Sequence, residues 1–160
     1  MGMQGQGGPA EGPGHTPGEL QMTKLIDNTR VVVARKGHPL AGAKRLADLA
    51  EATWLTTSIT HEAEDELHAV FEKRGLPKPS LGGQAQSALS ILTLMLNSDM
   101  LAMMPVQWAN SPLMKDWLDQ MELDESFAAP PLMLVHKAGL GLTPAGEHFA
   151  ALVQRVTQTV

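Results

Sequence analysis

No cysteine and no tyrosine occur in the 160 residues. Without thiols there is no disulfide framework, no zinc ribbon and no thiol nucleophile. Three Phe and three Trp are the whole aromatic complement, too few for a surface that stacks the bases of single strands. Cations are in the minority, 12 Lys and Arg against 17 Asp and Glu, for a formal net charge of −5. A chain with that balance does not grip a phosphate backbone by itself. No apolar run approaches the roughly 20 residues that cross a bilayer, so no spanning helix is expected. What is present is a composition of 43% hydrophobic and 18% charged residues, which suits a globular core. The length allows one domain, or one domain and part of another.

The chain changes character near residue 19. From Met1 to Gly18, ten of eighteen residues are Gly or Pro, and only Met1, Met3 and Ala10 are apolar. Such a stretch buries too little to offset the entropy of ordering, and residues 1–19 are expected to be a disordered tail. They show neither the positive start nor the apolar centre of a secretory leader.

Beyond the tail, strands and helices alternate. The β-branched run Arg30–Arg35 reads as a strand buried on both faces. A short helix over Leu46–Ala52 and a strand over Thr53–Ser58 follow. The spacing of Ala63, Leu67, Val70 and Phe71 predicts a helix over His61–Arg74, stopped by Gly75 and Pro77. Ser80–Gln86 reads as a strand whose Gly82 and Gly83 signal a bulge or a close backbone approach. Ser87–Asn97 is apolar almost all round and predicts a helix buried between other elements. A strand over Met100–Met104, a helix over Leu113–Leu118, a strand near Met121–Leu123 and another over Leu132–His136 come next. Thr143 and Pro144 supply the N-cap and first-turn chemistry of a last helix, with Phe149, Leu152, Val153 and Val156 on its apolar face. This alternation predicts an α/β fold with a mainly parallel sheet.

Motifs for catalysis are scarce. There is no P-loop and no Gly-x-Ser-x-Gly elbow, and Pro144 stands where a dinucleotide-binding fingerprint needs its third glycine. His61, Glu64, Asp65 and His68 share one helix face, a spacing that suits a metal. Glu62 and Glu66 carry the charge on around that helix, so a solvated acidic face is the reading, with no metal and no cofactor expected. Met95, Met100, Met103, Met104, Met114, Met121 and Met133, with Trp54, Trp108 and Trp117, lie in or beside apolar runs and are expected to fill the core. A basic cluster (Arg30, Arg35, Lys36, Lys44, Arg45) and an acidic stretch (Asp116, Asp119, Glu122, Asp124, Glu125) read as solvated surface.

Five motifs in chain order carry a family resemblance. The strand Val31–Arg35 runs into Gly37-His38-Pro39-Leu40-Ala41, and then into Leu46-Ala47-Asp48-Leu49 and Trp54. Gly75-Leu76-Pro77-Lys78-Pro79 follows the second helix. Asp99 to Pro105 forms a strand closed by proline. Leu142-Thr143-Pro144-Ala145, with Phe149, opens the last helix. From about Leu25 to Val156 the sequence resembles the effector-binding domain of LysR-type transcriptional regulators.

The resemblance implies an α/β, periplasmic-binding-protein-like (type 2) effector domain, with one complete α/β subdomain and a remnant of the other. Residues 20–36 would be a remnant of the first subdomain and a crossing strand. Residues 37–137 would be the effector-binding second subdomain, and 138–160 the closing segment and helix. It also implies a small anionic or carboxylate effector, a homo-oligomer, a cytoplasmic location, no membrane and no catalysis. DNA would be bound only through a helix-turn-helix that these residues do not contain. By resemblance the effector is met by the loops holding Thr57, Ser58, Thr60, Gln86, Ser87 and Pro105. Their chemistry suits the task, because free N–H groups at helix starts favour a carboxylate. The competing expectation is a solute-binding or small-molecule enzyme domain of another α/β family. With half of the first subdomain missing, Val31, Val33, Phe149, Leu152, Val153 and Val156 are expected to form an exposed apolar patch.

Overall fold

A computed structural model describes residues 20–56, 62–139 and 141–157. The described residues form two compact units, one of residues 20–25 with those described in 133–157 and one of those described in 26–132. Two long strands, β1 (Leu20–Arg35) and β6 (Phe127–Lys137), contribute residues to both units and pair with each other.

The larger unit is built on a mixed sheet. In chain order its other strands are β2 (Thr53–Thr56), β3 (Ser80–Gln84), β4 (Leu101–Pro105) and β5 (Leu118–Gln120). Their spatial order is β3-β2-β4-β1-β5. β2 runs parallel to β3 and to β4, whereas β1 is antiparallel to both β4 and β5. The expectation of a mainly parallel sheet therefore holds for three strands only. β1 precedes them in the chain yet sits inside the sheet against their direction. Its triplet Val32, Val33 and Ala34 is buried on both faces, as the β-branched run required.

Alternation along the strands builds two cores. Val32, Ala34, Trp54 and Leu101 face one way, with Leu46 and Leu49 of a four-residue 3-10 turn and with Leu67 and Phe71 of helix α1 (Glu62–Glu72). Trp54 and Phe71 meet edge to face, their ring centroids 5.5 Å apart. Val33, Leu55, Ala102 and Met104 face the other way, against Ile91, Leu92 and Met95 of helix α2 (Ala88–Leu96) and Ala109 of helix α3 (Val106–Ala109). Two successive crossovers that move in opposite directions across a sheet put their helices on opposite faces.

Several local expectations are corrected. The helix after Ala43 is one 3-10 turn, Leu46–Leu49. The expected helix over Leu113–Leu118 is a series of turns, and α3 forms upstream of it instead. β5 lies at Leu118–Gln120 rather than 121–123. α2 is not buried all round: Ile91, Leu92 and Met95 are covered, while Leu89 is 71% exposed. Trp54 is in the core as expected, but Trp108 and Trp117 are 44% and 54% exposed. The glycine signal in β3 holds. Trp54 pairs with Leu81 and Leu55 with Gly83, which leaves Gly82 as the extra residue of a bulge. A Cβ at Gly82 would lie 2.5 Å from Thr53 Cγ2 and 2.8 Å from Met100 Sδ, so the backbone approach there needs glycine.

In the smaller unit, helix α4 (Pro144–Thr157) starts as its sequence dictates. Thr143 Oγ1 accepts from the Gly146 N–H at 3.2 Å. None of its residues is buried. Phe149 is 61% and Val156 64% exposed, and Leu152 is exposed as well. The expected patch therefore exists on α4, while Val33 is buried and Val31 packs against the second core.

Candidate functional site

In sheets with parallel strands, ligands bind beyond the carboxyl ends of those strands, where helix N-termini converge. Here β2, β3 and β4 run the same way, so Thr56, Gln84 and Pro105 end on one edge. Backbone pairing draws the first two together: Thr56 lies opposite Gln84, and the Ala85 N–H donates to the Thr56 carbonyl at 3.0 Å. Thr56 is buried and its hydroxyl donates to the Gly83 carbonyl at 3.4 Å. α1, α2 and α3 all follow these strand ends in the chain.

The expected site residues distribute over this edge. Gln86 and Ser87 are exposed just beyond β3. Ser87 is the N-cap of α2. Its Oγ accepts from the Ser90 N–H at 3.1 Å and lies 2.8 Å from the Ser90 hydroxyl. The hydroxyl thus satisfies one of the orphan donors of the first turn, and the others remain for water or a ligand. Pro105 ends β4 and leads into α3. Thr57, Ser58 and Thr60, together with His61, lie outside the described residues.

One residue at this edge was not anticipated. The β1–β4 register puts Arg30 opposite Pro105, and Arg30 forms an ion pair with Glu66 of α1. The cluster of cations in the sequence held that information, but not the partner. The same is true of three others in the cluster, Arg35, Lys44 and Arg45. Arg35 donates through Nε at 2.9 Å and Nη2 at 2.6 Å to Asp99 Oδ1. Lys44 meets Glu122 at 3.0 Å, and Arg45 meets Asp48 at 3.5 Å. From the acidic stretch, Glu125 accepts from the Leu46 N–H at 3.0 and 3.1 Å, capping the 3-10 turn from 79 residues away. Arg30, Arg35 and Glu125 thus tie distant segments together, while Lys44, Glu122 and Arg45 stay largely exposed, as expected of solvated surface.

The His38-Pro39-Leu40-Ala41 turn is held in the same manner. His38 is 5% exposed. Its Nδ1 accepts from the Leu40 N–H at 3.0 Å, so Nε2 carries the proton and donates to the Asp99 carbonyl at 3.1 Å. Asp48 has its carboxyl held below the ordinary range, first by the Arg45 N–H and then by that of Lys44. His68 and Glu64, from the set with metal-like spacing, stand 3.8 Å apart on α1.

The chain is similar to known proteins over most of its length. The family model described as LysR substrate binding domain matches residues 9–158. The SDS degradation transcriptional activation protein of a Pseudomonas species is 30% identical over 146 residues, 84% of this chain and 45% of that protein. The chain therefore spans less than half the length of this curated relative. Among solved structures, the regulatory domain of CcmR from Synechocystis, in complex with 2-PG, superposes with a TM-score of 0.69 at 19% identity. That match covers 90% of this chain and 71% of that one. The effector-binding domain of QuiR in complex with shikimate gives 0.66 at 16% identity, covering 91% and 69%. The regulatory domain of MexT, a transcriptional activator in Pseudomonas aeruginosa, gives 0.70 at 14%, covering 92% and 69%. These likenesses establish a periplasmic-binding-protein-like effector-domain fold, and with the match over residues 9–158 the chain belongs to the LysR substrate-binding-domain family.

Proposed function

We propose that this chain is the effector-sensing module of a LysR-type transcriptional regulator and that it reads a small anion at the edge where β2, β3 and β4 end. The observation that carries the reading is this shared strand edge, with exposed Gln86 and the α2 cap Ser87 standing on it. Helix starts offer unpaired N–H groups and the positive end of a dipole, both suited to a carboxylate or phosphate. Thr57, Ser58, Thr60, Gln86, Ser87 and Pro105 are the contacts. Two structural neighbours hold acids of this kind, 2-phosphoglycolate and shikimate.

In this reading residues 37–137 form the effector-binding subdomain, 20–36 are a remnant of the other with the crossing strand, and 138–160 are the closing segment and helix that return to it. The module performs no catalysis and works in the cytoplasm as part of a homo-oligomer. Contact with DNA is made only by a helix-turn-helix carried elsewhere in the regulator.

The test is a calorimetric titration of the chain with shikimate, 2-phosphoglycolate and a short-chain alkyl sulfate, the last because the curated relative acts in SDS degradation. At least one compound is expected to bind, to bind more weakly to Gln86→Ala, and to be recovered unchanged. Conversion of a bound compound into product would instead mark an enzyme. Indifference of every bound compound to Gln86→Ala would remove the strand edge as the site.

A further inference from the structure

A groove of about 140 Å³ runs along the flank of α1 within the larger unit, between that helix and the start of β6. Its walls are apolar: Val70 from α1, Met103 from β4 and Pro130 from β6. Three charges stand on it, Arg30, Glu66 and Lys73. Arg30 and Glu66 neutralise each other as an ion pair. Lys73, the first residue past the end of α1, has no side-chain partner among the described residues. The groove therefore carries one uncompensated positive charge above an apolar floor. Its volume is close to the roughly 150 Å³ of an apolar cavity that holds one benzene ring, so a ring fills it and a head group stands at its open side.

We propose that this groove is a second small-molecule subsite, one that takes a compact monoanion with an apolar ring. The head group meets the Lys73 ammonium, and the ring lies against Val70, Met103 and Pro130. A carboxylate there competes with Glu66 for Arg30, because both are acceptors for one guanidinium. The groove shares Arg30 with the strand edge but none of the contacts assigned there, and Lys73 and Glu66 belong to the groove alone, so changes at those two residues separate this site from the other.

The experiment is equilibrium dialysis of the 160-residue chain with benzoate as the probe and benzamide as its uncharged counterpart. Benzoate is expected to bind saturably and benzamide is not. Lys73→Gln alters an exposed side chain and leaves the cores intact. It is expected to weaken benzoate about tenfold, the loss that follows from removing one charge-assisted contact. Glu66→Gln is expected to tighten benzoate, because it frees Arg30. A damaged fold would not produce that gain. Equal binding of benzamide, indifference to Lys73→Gln, as benzoate bound only at the strand edge would show, or weakening by Glu66→Gln would each overturn the subsite.

Discussion

His38 shows how much one side chain in a turn can hold. Both ring nitrogens are used, one by the Leu40 N–H and one by the Asp99 carbonyl, at a position almost closed to solvent. His38→Ala leaves both backbone groups without their partner, and a buried unsatisfied group costs about 1–3 kcal/mol. A loss of that size is expected in the urea midpoint followed by circular dichroism, and an unchanged midpoint would show that water replaces the ring. Asp48 supplies a pH-dependent counterpart. Its folded pKa lies below its unfolded value, so its contribution is present above the unfolded carboxylate value of about 4 and is lost as pH falls through the folded one. Asp48→Asn is therefore expected to weaken amide protection of Leu46–Leu49 at neutral pH. The difference from the parent chain should close on acidification, as hydrogen exchange across a pH series would record.

At the scale of elements, α2 presents two unlike faces. Ile91, Leu92 and Met95 pack into the second core, whereas Leu89 points to solvent. Met95→Ala is expected to cost about 2–5 kcal/mol, the range for emptying a buried site. Leu89→Ser is expected to stay within about 0.5 kcal/mol, as exposed substitutions do. Equal losses, measured by chemical denaturation, would mean that Leu89 is covered in the folded protein. The apolar run Ala88–Leu96 gave no sign of this asymmetry, because a helix that is hydrophobic all round carries no directional signal. The start of the helix was legible, since a cap is a local device: Ser87 and Thr143 both cap as their sequence context demands. The Gly82 bulge was legible for the same reason, although its identity as the unpaired residue needed the register of β2.

For the whole molecule, the apolar residues of the smaller unit are the governing feature. Phe149, Leu152 and Val156 on α4 are exposed, as are Leu20 and Met22 of β1 and Val135 of β6, all in one unit. Apolar surface of this kind on a soluble chain binds a partner or associates with itself. The 160-residue chain is expected to sediment as more than a monomer at micromolar concentration, and Phe149→Ser with Val156→Ser to shift it toward the monomer. A monomeric parent chain would show that this surface is not sticky enough to act.

What the sequence determined alone was short in range. Helix caps, glycine and proline stops, the buried strand Arg30–Arg35 and the ordered motifs of the family all depend on residues within a few positions of each other. The candidate contacts Gln86, Ser87 and Pro105 were reached through those motifs. The tertiary structure decided the rest. It placed β1 antiparallel beside β4 and β5, and so set Arg30 opposite Pro105. It joined Arg35 to Asp99 and Glu125 to Leu46 across 64 and 79 residues. It also left the apolar stripe of α4 open, though its pattern matches that of a buried helix. Periodicity reports which face of an element is apolar, but strand order and charge pairing depend on which distant segments that face meets, and no local window of sequence contains them.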